Sequence, residues 1–194
     1  MLPRRDLLLG GTAAAAAFAG LPAFAAQAKQ DEDEGIDPRK ARIIRVGKTT
    51  TPGVIHVKPD EFALFWTMEN GRAIRYPIGV AQRHLWEPGS YVIRAKKEWP
   101  SWTPTPDMIE RNPKYAKWEE GMPGGPANPL GARALYLFDG AGRDSMLRIH
   151  GTNLPHTILT RVSNGCARLT NGYVTDLYAR VPLGTRVHLY PMTV

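Results

Sequence analysis

Apolar and polar positions alternate along much of the chain with the period of strands rather than helices. Val54, Ile55 and Val57 begin a short apolar run, and Phe62 to Met68 form a second, rich in aromatic and apolar residues. Asn70-Gly71 then precedes a third run, Ala73 to Val80. Asn-Gly supplies the two positive φ angles of a tight hairpin turn, so the second and third runs are expected to pair. Tyr91-Val92-Ile93, Ala134 to Phe138 and Met146 to Ile149 read as further strands. The last two are joined by a turn at Asp139-Gly140-Ala141-Gly142. Thr185 to Tyr190 is the final strand, with Val187 and Leu189 turned inward.

Two stretches depart from this period. Val174, Leu177, Tyr178 and Val181 recur at helical spacing and line one face. Asn171 is the expected cap of that helix, and Pro182 stops it. Residues 95–131 hold Trp99, Trp102, Trp118, many prolines and Gly124-Gly125, with a short helix expected from Asp107 to Arg111 after Pro106. Loops of this length in a compact domain usually carry function. A lid over a site, its tryptophans packed on the body, is one reading, and a structural Ω-like insertion is the other. The expected fold from these patterns is mostly β with one clear helix near the end.

Composition sharpens this picture. A chain of 194 residues suggests one domain. Seventeen prolines and nineteen glycines favour short strands and turns over a helical bundle. Residues 1–25 read as an export signal: Arg4 and Arg5, an Ala/Gly-rich core from Leu7 to Gly20, and Ala23-Phe24-Ala25 for cleavage. The arginine pair resembles a twin-arginine signal, with an ordinary secretory signal as the alternative. Residues 26–49 are expected to be a flexible linker, opening with Asp31-Glu32-Asp33-Glu34 and turning basic at Arg39-Lys40-Ala41-Arg42. The folded domain is expected over residues 50–192. Nothing past residue 26 is apolar for long enough to span a bilayer, so no stable membrane insertion is expected after cleavage.

The formal charge is +7, and removing Arg4, Arg5 and Asp6 with the signal leaves +6. A basic surface suits an anionic neighbour such as cell-wall polymer. No basic stripe is interleaved with aromatics, so nucleic acid is not an expected partner. The chain has one cysteine, and export carries it into an oxidising compartment. A lone thiol there is buried and inert, bridged to another molecule, or a working nucleophile.

The neighbours of Cys166 favour the last. A thiol attacks as its thiolate, and a nearby imidazole can take the proton. His150 ends an expected strand and is followed by Gly151; Cys166 follows Gly165 and opens a turn. Both positions expose a side chain where backbone can approach a substrate. Amide groups at Gly165 and Cys166 could hold an oxyanion. The imidazole's other nitrogen needs an orienting partner, and with no acid in the motif a backbone carbonyl near Gly151 is expected.

The string His150-Gly151-Thr152, then Ser163-Asn164-Gly165-Cys166-Ala167-Arg168, resembles the signature of the L,D-transpeptidase (YkuD-like) family. Asn128 to Leu137 is similar to the family's approach to the histidine strand, and Asn171 through Val187 to its closing helix and strand. The resemblance implies a mostly β fold, a β-sandwich with one or two short helices beside the active site, with Cys166 as nucleophile, His150 as general base and Gly151 as the orienting residue. It implies an oxyanion hole from the backbone at Asn164, Gly165 and Cys166. Arg168 would bind a stem-peptide carboxylate, its planar fork suiting that task, with a salt bridge holding the turn as the alternative. Thr152, Ser163 and Asn171 are expected around the substrate, Thr152 and Asn171 more as supports than as actors. The family often has His where Asn164 stands.

The implied partners are peptidoglycan stem peptides and an acceptor, either a diaminopimelate amine, an envelope protein's amine or water. With water the enzyme would be a carboxypeptidase of the same fold. A catalytically silent wall-binding module is a further alternative. The expected location is the periplasm or cell envelope. No cofactor is expected. His56, His84, His150, His156, His188 and Cys166 lack the paired spacing of a zinc site, so no metal is expected either.

Overall fold

A computed structural model describes residues 37–193. The expected export signal, residues 1–25, lies outside the described residues, as does most of the expected linker.

Eleven strands form the body: β1 Arg42–Arg45, β2 Val54–Lys58, β3 Ala63–Met68, β4 Arg72–Pro77, β5 Val80–Ala81, β6 Gly89–Glu98, β7 Arg133–Phe138, β8 Asp144–His150, β9 Arg161–Ser163, β10 Ala167–Arg168 and β11 Arg186–Leu189. Nine of them make one sheet in the order β1-β4-β3-β2-β11-β6-β7-β8-β10, and β5 pairs with β9 in a second. Asn70 and Gly71 turn the β3–β4 hairpin at φ 60° and 62°, as Asn-Gly predicts. β1 is a correction to the expected linker. Arg42 to Arg45 pair antiparallel with β4, because Ile43 and Ile44 offer the strand pattern that the surrounding charges obscure.

The large sheet bends back on itself. The chain leaving β4 reaches Gly79, whose amide donates to the Arg168 carbonyl and whose carbonyl accepts from the Arg168 amide, both at 2.8 Å. Arg168 lies in β10, at the far end of the strand order from β4. Ile55, Val57, Leu64 and Tyr76 from one half therefore share a core with Ile93, Leu135, Leu137 and Ile149 from the other. Burying each such side chain stabilises the fold by about 1.5–3 kcal/mol. This is the expected sandwich.

A helix, Asn171–Arg180, covers the core with Val174, Leu177 and the following Val181. Its cap is Thr170 rather than Asn171; the Thr170 hydroxyl accepts from the Tyr173 amide at 3.3 Å. Lys96 closes the other end, donating to the carbonyls of Tyr178 and Val181 at 2.6 Å each. No helix among the described residues is long and apolar enough to cross a membrane.

The segment between β6 and β7 carries a short helix, Pro106–Arg111, capped by Thr105, and a 3-10 turn, Pro113–Trp118. Its base is closed by paired hydrogen bonds between Trp102 and Met122 at 2.9 and 2.7 Å. The Trp102 ring meets Tyr115 edge-on at 5.2 Å, and Trp99 is exposed. Trp102 thus stacks within the loop itself.

Candidate active site

β8 and β10 run side by side in parallel, with Ile149 opposite Ala167 and His150 opposite Arg168. Side chains on a strand alternate between faces, so Arg148 and His150 share one face and Arg168 joins them. Cys166 stands one step before β10, which continues the register to Arg148. The Arg148 backbone amide is close enough to the sulfur to favour its thiolate. Cys166 and His150 are therefore diagonal neighbours. In a paired ladder such residues stand about 7–8 Å apart at the backbone, within reach of a ring.

A cleft of about 640 Å³ opens beside them, walled by Cys166, Asn164, Arg148, Tyr136 and Glu87 and by residues between Trp102 and Arg111. Cys166 is half-buried in this wall. His150 and Arg168 lie just behind it, 4% and 9% exposed. The helix Pro106–Arg111 is joined to the turn before Cys166, where Arg111 Nη2 donates to Asn164 Oδ1 at 3.5 Å.

His150 Nδ1 lies 2.6 Å from the Gly151 carbonyl oxygen. A carbonyl only accepts, so Nδ1 carries the proton and Nε2 is left as the basic nitrogen. Burial drives the imidazole pKa down to about 3, against the Gly151 hydrogen bond, and the charges of Arg168 and Arg148 push the same way. Burial also raises the Cys166 thiol, opposed by the Arg148 amide and the two arginines. The resting pair is thus a neutral thiol beside a neutral imidazole.

Gly165 sits at φ 129°, and a Cβ there would meet Leu147 at 3.1 Å. This sharp turn aims the amides that follow it. Among the described residues, the amides of Gly165 and Cys166 donate to no protein acceptor. Ser163 Oγ donates to the Cys166 carbonyl at 2.6 Å and steadies the same turn.

Ser163, Thr152 and Asn171 each engage backbone beside the site. None of Ser163, Thr152 and Asn171 is in the cleft wall, because each has its side-chain oxygen engaged by backbone. Thr152 Oγ1 accepts from the Leu154 amide at 3.0 Å. Asn171 Oδ1 accepts from the amides of Ala132 and Thr152 at 3.0 and 3.2 Å. Gly151 packs so tightly on that oxygen that a Cβ would collide with it.

Arg168 is different. Its Nε and Nη2 are buried without a hydrogen-bond partner, and no carboxylate pairs with it among the described residues. A salt bridge holding the turn therefore does not account for it. Arg148, by contrast, is bound bidentately by Asp144 at 2.6 and 2.8 Å. The sequence reading missed Arg148, Arg111, Tyr136 and Glu87. Arg148 was within reach, since it stands two residues before His150 on the same strand face. The others come from segments whose approach to Cys166 only the folded chain reveals.

The chain matches the family model for the YkuD L,D-transpeptidase catalytic domain over residues 52–189. It is 36% identical over 148 residues to the Escherichia coli protein named "Probable L,D-transpeptidase ErfK/SrfK", covering 73% of this chain and 44% of that one. It is similar to a Brucella melitensis crystal structure at 43% identity and TM-score 0.54, covering 82% of this chain and 96% of that one. That protein is named a probable carnitine operon oxidoreductase, and the name describes that protein alone. An L,D-transpeptidase from Mycobacterium smegmatis shares the fold at 14% identity and TM-score 0.52, over 71% of this chain and 58% of that one. The chain belongs to the YkuD L,D-transpeptidase catalytic-domain family. It spans about half the length of the curated relatives it matches.

Proposed function

We propose that this protein is an exported cysteine L,D-transpeptidase acting on peptidoglycan stem peptides through a thioester on Cys166. The observation that carries the reading is the position of Cys166 in the cleft wall, diagonal to an imidazole whose Nδ1 is tied to Gly151. Residues 1–25 act as a signal taking the domain to the cell envelope by the twin-arginine route. The domain takes in residues 50–192 together with β1.

Because the resting thiol and imidazole are both neutral, His150 acts as a general base during attack. Its Nε2 takes the proton as the sulfur adds to the carbonyl at the L-centre of a tetrapeptide stem. The amides of Gly165 and Cys166 receive the oxyanion, aided by that of Asn164. Collapse breaks the peptide bond, and His150 returns the proton to the departing D-alanine amine. Arg168 offers its unpartnered nitrogens to a carboxylate of the donor. The thioester is then taken by an amine to give a 3→3 cross-link or a wall–protein link, or by water.

Asn164 takes the place of a frequent family histidine, and its bond from Arg111 supports a local structural part for it. Asn164→His is therefore expected to react at a rate close to the native one. The test of function is product analysis after the mature protein meets purified stem-peptide dimers. Cross-linked or trimmed products made by the native protein and absent with Cys166→Ala support the reading. Products that persist with Cys166→Ala contradict it.

A further inference from the structure

The cleft carries an unusual charge for this protein. The chain as a whole is +7, whereas the cleft wall sets Arg111 and Arg148 against the carboxylates of Glu87 and Asp107. Arg148 is held by Asp144, and Arg111 donates to Asn164. Glu87 and Asp107 are both exposed in the cleft wall and form no ion pair among the described residues, and of the two it is Glu87 whose charge acts on Cys166. The Glu87 segment is pinned by its neighbours. The Trp86 indole donates to the Tyr190 carbonyl at 2.7 Å, and the Tyr91 hydroxyl reaches the Glu87 carbonyl at 3.4 Å.

A carboxylate here does not help the first half of the reaction. Among the charges acting on Cys166, Glu87 opposes the thiolate, whereas Arg148 and Arg168 favour it. Once the sulfur is acylated it carries no charge, and that opposition disappears. What remains is a fixed negative charge in the same cleft as the thioester. The group it suits is a cation arriving after acylation.

We infer that Glu87 is the recognition residue for the acceptor, drawing an alkylammonium into the cleft and setting amine above water as the group that resolves the thioester. This deepens the proposed transpeptidase reading and rests on it. The incoming R–NH3+ pairs with the Glu87 carboxylate and gives up one proton to water through it. The free amine adds to the thioester carbonyl, and His150 accepts the second amine proton. The C–S bond breaks as the C–N amide bond is completed, and His150 returns its proton to the sulfur. The thiol is regenerated, and one proton is released overall. An exposed rim carboxylate steers and orients a charged partner more than it adds raw affinity.

The test forms the acyl-enzyme from a tetrapeptide stem in the full mature protein. Two nucleophiles then compete with water: the ε-ammonium of Nα-acetyl-lysinamide, and hydroxylamine, which is uncharged at neutral pH. The readout is the ratio of aminolysis to hydrolysis, which does not depend on how fast each variant acylates. Glu87→Gln is expected to lower the ratio for the lysine derivative at least tenfold and that for hydroxylamine less than twofold. Glu87→Asp is expected to restore part of the loss. An unchanged lysine ratio, or an equal fall for both nucleophiles, overturns the inference. A native protein that never acylates at Cys166 overturns the transpeptidase reading itself, and the inference with it.

Discussion

Arg168 stands opposite His150 across the parallel β8–β10 pair, on the same face of the sheet. A fixed cation beside a buried imidazole disfavours a second positive charge there, and so helps keep the base neutral. In the proposed reaction this favours a base that works during attack over a thiolate–imidazolium pair formed in advance.

The pH dependence of the thiol follows. Alkylation of Cys166 by iodoacetamide is expected to rise with a single inflection above the ordinary cysteine range of about 8.5. No step is expected between pH 5 and 7. A clear inflection in that interval would mean that the ion pair already exists. Stability is linked to the same group. His150 has its folded pKa lowered to about 3 from an ordinary 6.5, so the unfolded chain binds the proton first as pH falls. Stability should drop from pH 6.5 downward by at most about 1.4 kcal/mol per pH unit from this residue. His150→Gln should flatten that part of the curve in urea titrations.

Arg168 predicts opposite signs for stability and for substrate use. Two of its nitrogens are buried without partners, and an unsatisfied buried donor costs about 1–3 kcal/mol. Arg168→Met is expected to hold or raise the melting temperature while raising the donor KM about tenfold, the equivalent of about 1.4 kcal/mol. A sharp fall in melting temperature with KM unchanged would assign Arg168 to the fold alone.

How much of this was legible in the sequence depended on whether the cause was local. The Asn70-Gly71 turn, the β7–β8 hairpin and the Val174–Leu177–Val181 face are written in neighbouring residues and came out as expected. The short pairings were not legible. β5, β9 and β10 hold two or three residues each, and their partners lie far away in sequence. β6 runs on to Glu98 through Lys96 and Lys97, which look like solvent residues. Lys96 belongs there because the distant helix end gives its ammonium two carbonyls and the Tyr178 ring. At the site, His150, Gly151 and Cys166 stood out by type and context. The exact partners of Thr152, Ser163 and Asn171 were not legible, because a polar side chain near a nucleophile looks the same in sequence whether it faces substrate or backbone.

Asn171 offers a direct measure of that support. Asn171→Ala leaves the amides of Ala132 and Thr152 without their acceptor, which should cost about 2–4 kcal/mol in chemical denaturation. Asn171→Asp keeps the oxygen and should recover most of the loss. Equal destabilisation by both would point to a packing role instead.

The lid forms much of the cleft wall from Trp102 to Arg111. Replacing residues 103–125 by a short glycine linker is expected to leave the β body folded, since its core excludes these residues. The same variant should lose at least tenfold in kcat/KM, or about 1.4 kcal/mol of transition-state binding. An undiminished rate in a folded variant would make the segment a structural insertion.

The most direct measurement is the intact mass of the mature protein after brief exposure to a tetrapeptide stem, followed by peptide mapping. The account predicts an added mass equal to the stem less its terminal D-alanine, carried on Cys166 as a thioester and absent from Cys166→Ala. A protein that processes the stem with no adduct on Cys166, or an adduct that survives Cys166→Ala, would contradict it.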